Sequence, residues 1–382
     1  MKLFIESSSI FGERSGIGQY TKRLIEAYHQ YYPESQIRLF GFKFISRKFI
    51  HPIAPDKTLS YRLIRWLPGR AYTGAFKHKI KIPIDILVGA RKQDIFLYPN
   101  FVKWPHLFNR RSATIVHDVS FITHGQYTSP PNREYMLKYV PGSISSSQYI
   151  VTISECSKLA ITKHYGVPPE NISIVHPFVD TEIFYKVSED EQQRVRNKYN
   201  LPQNYLLFIG NVEPRKNLSG VLEAYEALPN KIKKQYSLVI AGGKGWLNDA
   251  IHRKIDQLIS EGHTIVRTGY VADEDVPGLM SSAKLYMQIP HYEGFGIPPL
   301  ESMACGTPVI CANNSSLPEA AGDAALYVNS NNPKETTKAI IKLLSDNQLY
   351  NDLIAKGYAQ VKKFTPKKTA DQLQSLVEKL TK

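Results

Sequence analysis

The stretch that most constrains this chain is residues 291–308, which read HYEGFGIPPLESMACGTP. Gly294 and Gly296 allow positive φ angles and a close approach of the backbone to a ligand. The two prolines that follow suit the first turn of a helix, and Gly306 suits its C-terminal end. The pattern therefore predicts a glycine-bearing loop that leads into a short helix.

Two carboxylates bracket this turn. Glu293 lies on the predicted loop and Glu301 in the first turns of the predicted helix. Taken singly, Glu293 is explained as a loop acid and Glu301 as a residue favoured by the helix dipole. One helix cannot explain the pair, because residues eight apart lie well separated around its axis. Because a helix N-terminus also favours phosphate, the pattern predicts a site for a sugar joined to a phosphate.

Residues 291–308 resemble the E-x7-E motif of the retaining GT-B glycosyltransferases of family four (glycosyl transferases group 1), and residues 293–301 resemble its mannosyltransferase-like members. The resemblance implies an α/β GT-B fold, in which two facing Rossmann-like domains with parallel sheets enclose a cleft. It places an acceptor-side domain at residues 1–184, with a C-terminal helix at 366–382 packing back on it, and a donor-binding domain at residues 185–365.

The same resemblance implies roles for residues of the motif. Glu293 is expected to orient the transferred sugar, and Glu301 to bind the ribose of the donor. The backbone N–H groups of Gly294, Phe295 and Gly296 are expected to contact the donor.

The implied reaction is retaining transfer of a hexose from a nucleotide sugar. The mannosyltransferase-like motif favours GDP-mannose as donor and a lipid-linked saccharide as acceptor, in surface polysaccharide or O-antigen assembly. A UDP- or dTDP-sugar donor, for example of glucose or rhamnose, stays open, as does a non-catalytic nucleotide-sugar-binding protein on the same fold. The sequence does not indicate an oligomeric state.

Two adjacent cations, Arg215 and Lys216, precede a predicted helix that runs to about Leu228. Because cations oppose the dipole at a helix N-terminus, an anion is expected to compensate them. A pair of solvated side chains is the alternative. Residues 210–217 resemble the family's Gly-x-x-x-x-Arg-Lys-Asn segment, which implies that Arg215 and Lys216 neutralise the leaving diphosphate.

In the N-terminal half, a predicted strand at residues 2–7 leads through Gly16 and Gly18 into a helix that ends near Tyr31. Thr21 stands where a dinucleotide-binding G-x-G-x-x-G motif needs its third glycine, which disfavours a dinucleotide oxidoreductase. The glycines are read either as a tight turn or, by the resemblance, as a loop at the cleft near the donor phosphates. We favour the second interpretation, a loop near the donor phosphates.

His117 follows a buried strand predicted at residues 113–116. Side chains at the carboxyl ends of parallel strands face the ligand crevice of an open α/β sheet. A lone histidine is often a satisfied structural residue. The following Asp118 completes a His-Asp pair that matches the family, where this position lies beside the transferred sugar, and a catalytic role for His117 is expected.

Tyr270 and Val271 resemble the family's base-binding segment, and their backbone groups are expected to meet the nucleobase. The following acids, 273–275, formally contain an Asp-x-Asp metal signature, but they precede a predicted helix and are read as capping residues. Residues 316–319 are read as a capping box. No metal and no other cofactor is expected.

The chain has 382 residues, of which 42% are hydrophobic and 21% charged, as expected for two folded domains. The N-terminus turns polar after three apolar residues and lacks the long apolar region of a signal peptide, which predicts a cytoplasmic protein. Cys156, Cys305 and Cys311 form no zinc or disulfide pattern and are read as buried residues.

A formal charge of +14 indicates an anionic partner. Basic and aromatic residues interleave in residues 41–83, and residues 103–111 form a second such cluster. This composition predicts a dock on the anionic inner face of the cell membrane, where each cation contributes about 1 kcal/mol. A helix pair that buries its rings and extends its charges to solvent is the alternative. Nucleic acid is disfavoured, since no recognition motif accompanies the charge.

Overall fold

A computed structural model describes residues 1–11, 16–42, 51–65, 71, 74, 82–108, 111–243, 245 and 249–382. The chain divides into two compact units. The first comprises residues 1–123, 130–177 and 366–382, and the second comprises residues 124–129 and 178–365. The division thus falls between Pro177 and Phe178, whereas the sequence placed it after residue 184.

Within the described residues, the first unit is built on a parallel sheet of seven strands in the order β3-β2-β1-β4-β5-β6-β7. Its strands are β1 Leu3–Glu6, β2 Ile37–Phe42, β3 Leu59–Ile64, β4 Ile95–Tyr98, β5 Ser112–Ile115, β6 Tyr149–Thr152 and β7 Ile172–Ile174. The strand order reverses at β1, which pairs with β2 on one side and β4 on the other. Ligands of open α/β sheets bind beside the carboxyl ends of strands at such a point.

The helices of the first unit whose bounds the structure describes are α1 Gly16–Tyr31, α2 Ile84–Leu87, α3 Ser120–Thr123, α4 Pro130–Ser146, α5 Glu155–Tyr165 and α15 Pro366–Thr381. The last of these, α15, packs on α1. The hydroxyl of Tyr28 donates to Gln374 Oε1 at 2.8 Å, and that of Tyr32 donates to Asp371 Oδ1 at 2.8 Å. These contacts fix the end of the chain in the first unit.

The second unit repeats this plan, and its described part forms a six-stranded parallel sheet in the order β10-β9-β8-β11-β12-β13. Its strands are β8 Tyr205–Ile209, β9 Ser237–Ala241, β10 Ile265–Gly269, β11 Leu285–Gln288, β12 Val309–Ala312 and β13 Ala325–Val328. The strand order reverses at β8, between β9 and β11. Loops that follow β8 and β11 therefore begin side by side at one edge of the sheet.

In the described part of the second unit the helices are α6 Glu189–Lys198, α7 Leu218–Glu226, α8 Asn230–Gln235, α9 Asp249–Ser260, α10 Val276–Ser282, α11 Ile297–Ala304, α12 Leu317–Ala321, α13 Pro333–Ser345 and α14 Asn347–Val361. Apolar side chains of α7, α9 and α13 pack with those of β8, β9 and β11 in one buried core, to which Val221, Ile255 and Ile340 belong. This core supports the loops at the carboxyl edge.

The basic segment 41–83 contains a strand in its described part. β3 pairs in parallel with β2, and Leu59 and Ile64 are buried. The alternative of a helix pair is therefore wrong for residues 59–64, because these residues pair with the backbone of β2 at the sheet edge. The cations at 43, 47, 48, 70, 77, 79 and 81 lie outside the described residues.

The second basic cluster is not a continuous surface. Lys103 is 8% exposed, and its ammonium group donates to Ser112 Oγ at 2.7 Å and to the backbone carbonyl of Ser146. Burial lowers the pKa of Lys103 to about 8, although the nearby Asp85 raises it. The expectation that residues 103–111 extend a membrane dock is wrong for Lys103, whose charge is used internally.

Among the helices that the structure describes, none has the length and apolar character needed to cross a bilayer.

Candidate active site

The two loops that begin at the strand-order reversal of the second unit carry three of the expected catalytic side chains. After β8, residues Pro214–Lys216 form a 3-10 turn that holds Arg215 and Lys216. After β11, the chain reaches Glu293 and then α11. The backbone N–H of His291 donates to the carbonyl of Arg215 at 2.9 Å, which ties the two loops together.

Glu293 is ion-paired to both cations. Its Oε2 accepts from Arg215 Nη1, and its Oε1 accepts from Lys216 Nζ. A second carboxylate, Glu213, accepts from Arg215 Nη2 at 2.9 Å. Gln288 Nε2 also donates to Glu293 Oε1, at 3.2 Å. The structure therefore brings Glu293, Arg215 and Lys216 into direct contact.

The environment of Glu293 keeps its carboxyl ionised. Burial by itself raises the pKa of Glu293, but the charges of Arg215 and Lys216 outweigh it and lower the pKa to about 2. An ionised carboxylate is an acceptor at every lone pair. Glu293 can therefore accept hydroxyl protons in hydrogen bonds but cannot serve as a general acid at neutral pH.

The anion expected to compensate Arg215 and Lys216 is present within the chain. In the structure it is supplied by Glu293 and Glu213. The cations are also not placed directly ahead of a helix, because Asn217 intervenes with φ 56° and caps α7 by accepting from Gly220 N at 3.2 Å. The sequence reasoning missed Glu213 and Asn217, although both lie within the segment 210–217 that carried the resemblance.

The loop that follows Glu293 has the predicted shape. Gly296 has φ 112°, and a Cβ atom added there would lie 2.7 Å from Leu317 Cδ2. Helix α11 starts at Ile297 with its prolines in the first turn, and Gly306 follows its end with φ 74°. Gly294 is also described, and it does not have the positive φ that was expected.

Two serines hold this loop in place. The hydroxyl of Ser316 donates to the backbone carbonyls of Glu293 and Phe295, each at 2.8 Å. The Ser315 hydroxyl accepts from the backbone N–H of Glu293 at 3.1 Å. The prediction that Ser316 caps α12 is therefore wrong, because its side chain makes no capping hydrogen bond. The hydroxyl of Ser316 instead positions the backbone around Glu293, which its capping-box pattern does not indicate.

The remaining donor-site candidates of the second unit lie on nearby elements. Glu301 is partly buried on α11, two residues after Pro299. Tyr270 and Val271 follow β10 at the carboxyl edge of the sheet, with Tyr270 71% exposed and Val271 7% exposed. Their roles toward a ribose and a base stay predictions.

Asp275 does not cap α10 as expected. It is fully buried and binds Lys198 Nζ at 2.6 Å and the Tyr199 hydroxyl at 2.8 Å, together with Arg194. Burial raises the pKa of Asp275, but these partners lower it to about 2. The carboxylate of Asp275 thus joins α6 to α10 through residues distant in sequence, whereas a local helix cap was predicted.

Gly16 and Gly18 belong to the first unit and lie inside α1, in its first turn. The expected glycine turn ahead of the helix is therefore wrong for these two residues, and residues 12–15 lie outside the described part. Gly16 is exposed and Gly18 is buried. A contact of either with a donor phosphate stays a prediction.

His117 follows β5 in the first unit and is 6% exposed. Its ring lies between Tyr20 and Phe101, with centroid distances of 5.3 Å to each. Its Nε2 lies 2.7 Å from the carbonyl oxygen of Pro99. Burial lowers the pKa of His117, which keeps the ring neutral at neutral pH.

The hydrogen bond to Pro99 fixes the tautomer of His117. Because a carbonyl only accepts, Nε2 carries the proton, and Nδ1 of the neutral ring is an acceptor. His117 is therefore prepared to accept a hydrogen bond from a hydroxyl, not to donate one from Nδ1. Of the described residues, no group of three or more histidine, cysteine or acidic side chains has the arrangement of a metal site.

Comparisons with known proteins agree with this architecture. The model of the family described as glycosyl transferases group 1 matches residues 189–360. O-antigen chain mannosyltransferase B of Escherichia coli is 32% identical over 376 residues, which cover 96% of each protein. Serotype-specific mannosyltransferase WbdA of Escherichia coli is 26% identical over 264 residues, which cover 68% of this chain and 32% of WbdA.

The solved structure of sucrose-phosphate synthase from Thermosynechococcus elongatus superposes with a TM-score of 0.74 at 18% identity, covering 100% of this chain and 99% of that one. This likeness concerns the fold alone, and it confirms the predicted α/β class of two Rossmann-like, parallel-sheet GT-B domains. The fold and the matches define a glycosyltransferase. The chain belongs to the glycosyl transferases group 1 family.

Proposed function

We propose that this glycosyltransferase moves mannose from GDP-mannose onto a lipid-linked saccharide, with retention of the anomeric configuration, in O-antigen or surface polysaccharide assembly. The observation that carries the proposal is the contact of the ionised Glu293 with Arg215 and Lys216 at the carboxyl edge of the second sheet. The choice of mannose rests on the names of the relatives, O-antigen chain mannosyltransferase B above all.

The ion pairs allow the two cations to exchange a carboxylate partner for a bound anion. Two cations, Arg215 and Lys216, contact two carboxylates, Glu213 and Glu293. A bound diphosphate competes with Glu293 for these cations, since phosphate oxygens are strong acceptors of charge-assisted hydrogen bonds. Glu293 is then released toward the sugar hydroxyls. Donor binding and the positioning of Glu293 are in this way coupled.

The reaction we propose is a front-face substitution. The bond between the anomeric carbon and the diphosphate oxygen breaks, and the electron pair stays on the diphosphate. The acceptor oxygen bonds to the same face of the sugar, and its proton passes to the departing phosphate oxygen. Arg215 and Lys216 stabilise the charge that develops on the leaving group, which is the interaction expected to contribute most to the rate.

The other candidates complete this scheme as proposals. Glu301 binds the donor ribose, and backbone groups near Tyr270 and Val271 bind the base. His117 accepts a hydrogen bond from a hydroxyl of the transferred sugar through Nδ1, in keeping with its tautomer. Gly16 and Gly18 contact the donor phosphates. No metal is required, because two side-chain cations take the role that a metal has in other transferases.

We also propose that the protein is cytoplasmic and docks peripherally on the anionic inner face of the cell membrane, where a lipid-linked acceptor is presented. The basic residues of segment 41–83 support this idea. Co-sedimentation with liposomes tests it. Binding that rises with the anionic lipid content supports the dock, and binding that ignores lipid charge contradicts it.

A thermal-shift screen of nucleotide sugars with the purified protein tests the donor. A larger shift with GDP-mannose than with GDP, UDP-glucose or dTDP-rhamnose supports the proposal. A preference for a UDP- or dTDP-sugar would replace mannose by that sugar and keep the transferase. Slow donor hydrolysis that disappears in Glu293→Ala supports an enzyme, whereas donor binding without hydrolysis or transfer favours a non-catalytic binding protein.

A further inference from the structure

A polar pocket of about 600 Å³ opens beside the Glu293 loop, within the second unit. Its wall includes His291, two residues before Glu293, and Asn314, next to the Ser315 that accepts from the Glu293 backbone. The volume falls in the range of roughly 300–1,000 Å³ typical of small-molecule sites.

One side of the pocket is built from aromatic rings. Residues 124–129 belong to the second unit, and from this segment Tyr127 stacks on His291 at 4.9 Å with ring planes 7° apart. His124 lies 4.8 Å from the ring of Tyr292. These contacts hold the segment against the Glu293 loop, and His124, Tyr127 and His291 form an aromatic part of the pocket wall. Flat rings of this kind present apolar area together with a polar edge.

Another part of the pocket wall consists of side-chain amides. Asn314 is used internally, since its Nδ2 donates to the carbonyl of Pro290 at 2.9 Å and to Ser330 Oγ at 3.1 Å. The exposed amides of Asn313, Asn329 and Asn331 border the space itself. An amide offers both donors and acceptors in one plane, which suits adjacent hydroxyl groups.

The pocket offers little positive charge that could bind a phosphate. The described lining residues include no lysine or arginine, and their one acid is Glu335. Burial lowers the pKa of His291, and the neighbouring His124 lowers it further, although Asn331 raises it by a hydrogen bond. His291 is therefore neutral at neutral pH. A ligand with several hydroxyls and no negative charge fits these groups, and a nucleoside diphosphate does not.

We infer that this pocket binds a neutral saccharide, a stretch of the acceptor glycan beyond the sugar that is extended. The inference rests on the proposed transfer to a saccharide acceptor and adds where that acceptor is recognised. Because Tyr127 and His291 join the pocket wall to the loop of Glu293, a bound glycan also stabilises the segment that carries the catalytic carboxylate.

Isothermal titration of the full chain with α-linked mannotriose, in the absence of any nucleotide sugar, tests the inference. Asn313→Trp fills the pocket from an exposed position, and Asn351→Trp makes the same change on the exposed face of α14, outside it. We expect mannotriose to bind the wild type and Asn351→Trp equally, and to bind Asn313→Trp at least about tenfold more weakly, a loss of about 1.4 kcal/mol. Thermal melting establishes that each variant is folded.

A second variant, Asn331→Ala, removes one amide without adding bulk and is also expected to weaken mannotriose binding. Absence of binding to the wild type, or equal binding by wild type, Asn313→Trp and Asn331→Ala, overturns the pocket assignment. Displacement of mannotriose by GDP-mannose in a competitive manner overturns it too, since the trisaccharide then lies in the donor site. The proposed function fails separately, if the wild type turns over no nucleotide sugar.

Discussion

Glu293 is ion-paired to Arg215 through Oε2 and Nη1, although the two residues lie 78 positions apart in the chain. The strand-order reversal at β8 brings them together, because their loops leave adjacent strands. Glu293 is buried, and a buried carboxylate is retained as an ion only where partners compensate the loss of water. The ion pairs with Arg215 and Lys216 therefore compensate the charge that Glu293 keeps in the buried part of the second unit.

Replacing Arg215 by alanine is expected to reduce kcat by about 100-fold or more, because a preorganised cation at the leaving group is lost. The KM for the donor is expected to change less, since Lys216 remains. Steady-state kinetics with the donor found in the screen measures both. Arg267→Ala, which removes an exposed arginine paired with Asp256 in the same unit, is the matched control. Normal turnover by Arg215→Ala would overturn the assigned role.

Glu301→Ala is expected to weaken donor binding about 10- to 100-fold while kcat stays within a few-fold of the wild type, since a hydrogen bond to the ribose is present before and during the reaction. Titration with the nucleoside diphosphate alone measures the binding loss. Glu261→Ala, at an exposed acid of the same unit, serves as comparison. An unchanged affinity together with a collapse of kcat would assign Glu301 to the chemistry instead.

The pKa of about 2 at Glu293 makes a prediction about pH. Because the folded-state pKa lies below the ordinary value of 4.5, the ion pairs stabilise the fold above about pH 4.5 and lose their effect as the pH falls toward 2. We expect Glu293→Gln to lower the midpoint of urea unfolding at pH 7 and to differ little from the wild type near pH 2. A difference of equal size at both values would contradict the ion-pair account.

Ser316→Ala removes the hydroxyl that joins the backbone carbonyls of Glu293 and Phe295. Both carbonyls lose a donor, so we expect unfolding to become easier by about 1–3 kcal/mol and kcat to fall about tenfold. Ser316→Thr keeps the hydroxyl and is expected to restore most of kcat. Failure of threonine to restore it, with a stable fold, would indicate that the hydroxyl does not act by positioning the loop.

Transfer is expected to persist in excess EDTA, because Arg215 and Lys216 supply the positive charge at the leaving group. Initial rates of the purified enzyme with EDTA, and after re-addition of Mg²⁺ or Mn²⁺, measure this. Rates that differ by less than about twofold agree with side-chain catalysis, whereas a loss of most activity that Mn²⁺ restores would show that a metal shares the role.

Much of the fold follows from local pattern. Buried strands such as β5, Ser112–Ile115, are short runs of buried residues, and the sequence predicts this one at residues 113–116. The edge strand β3, which reads LSYRLI, was missed, because its mixture of apolar and polar residues suits a surface helix as well as a half-buried strand. Only its pairing with β2, a contact distant in sequence, decides between them.

The site was predictable where residue type and spacing agree with a motif, as for Glu293. What the sequence did not reveal are contacts that the tertiary structure creates. Ser316 and Asp275 both occupy positions that local rules assign to helix caps, yet both bind partners on other elements. Lys103 likewise belongs to a basic run but donates internally. In each case the side chain binds a partner on another element, which the local sequence pattern does not show.

The central claim is that Glu293, Arg215 and Lys216 act on one molecule of activated sugar. A crystal structure of the protein with GDP-mannose, or with the donor that the screen selects, tests this most directly. We predict diphosphate oxygens within hydrogen-bonding distance of Arg215 and Lys216, a sugar hydroxyl on Glu293, and the ribose on Glu301. A donor bound elsewhere, or one that leaves the Glu293 ion pairs intact with its sugar remote from them, would contradict the account.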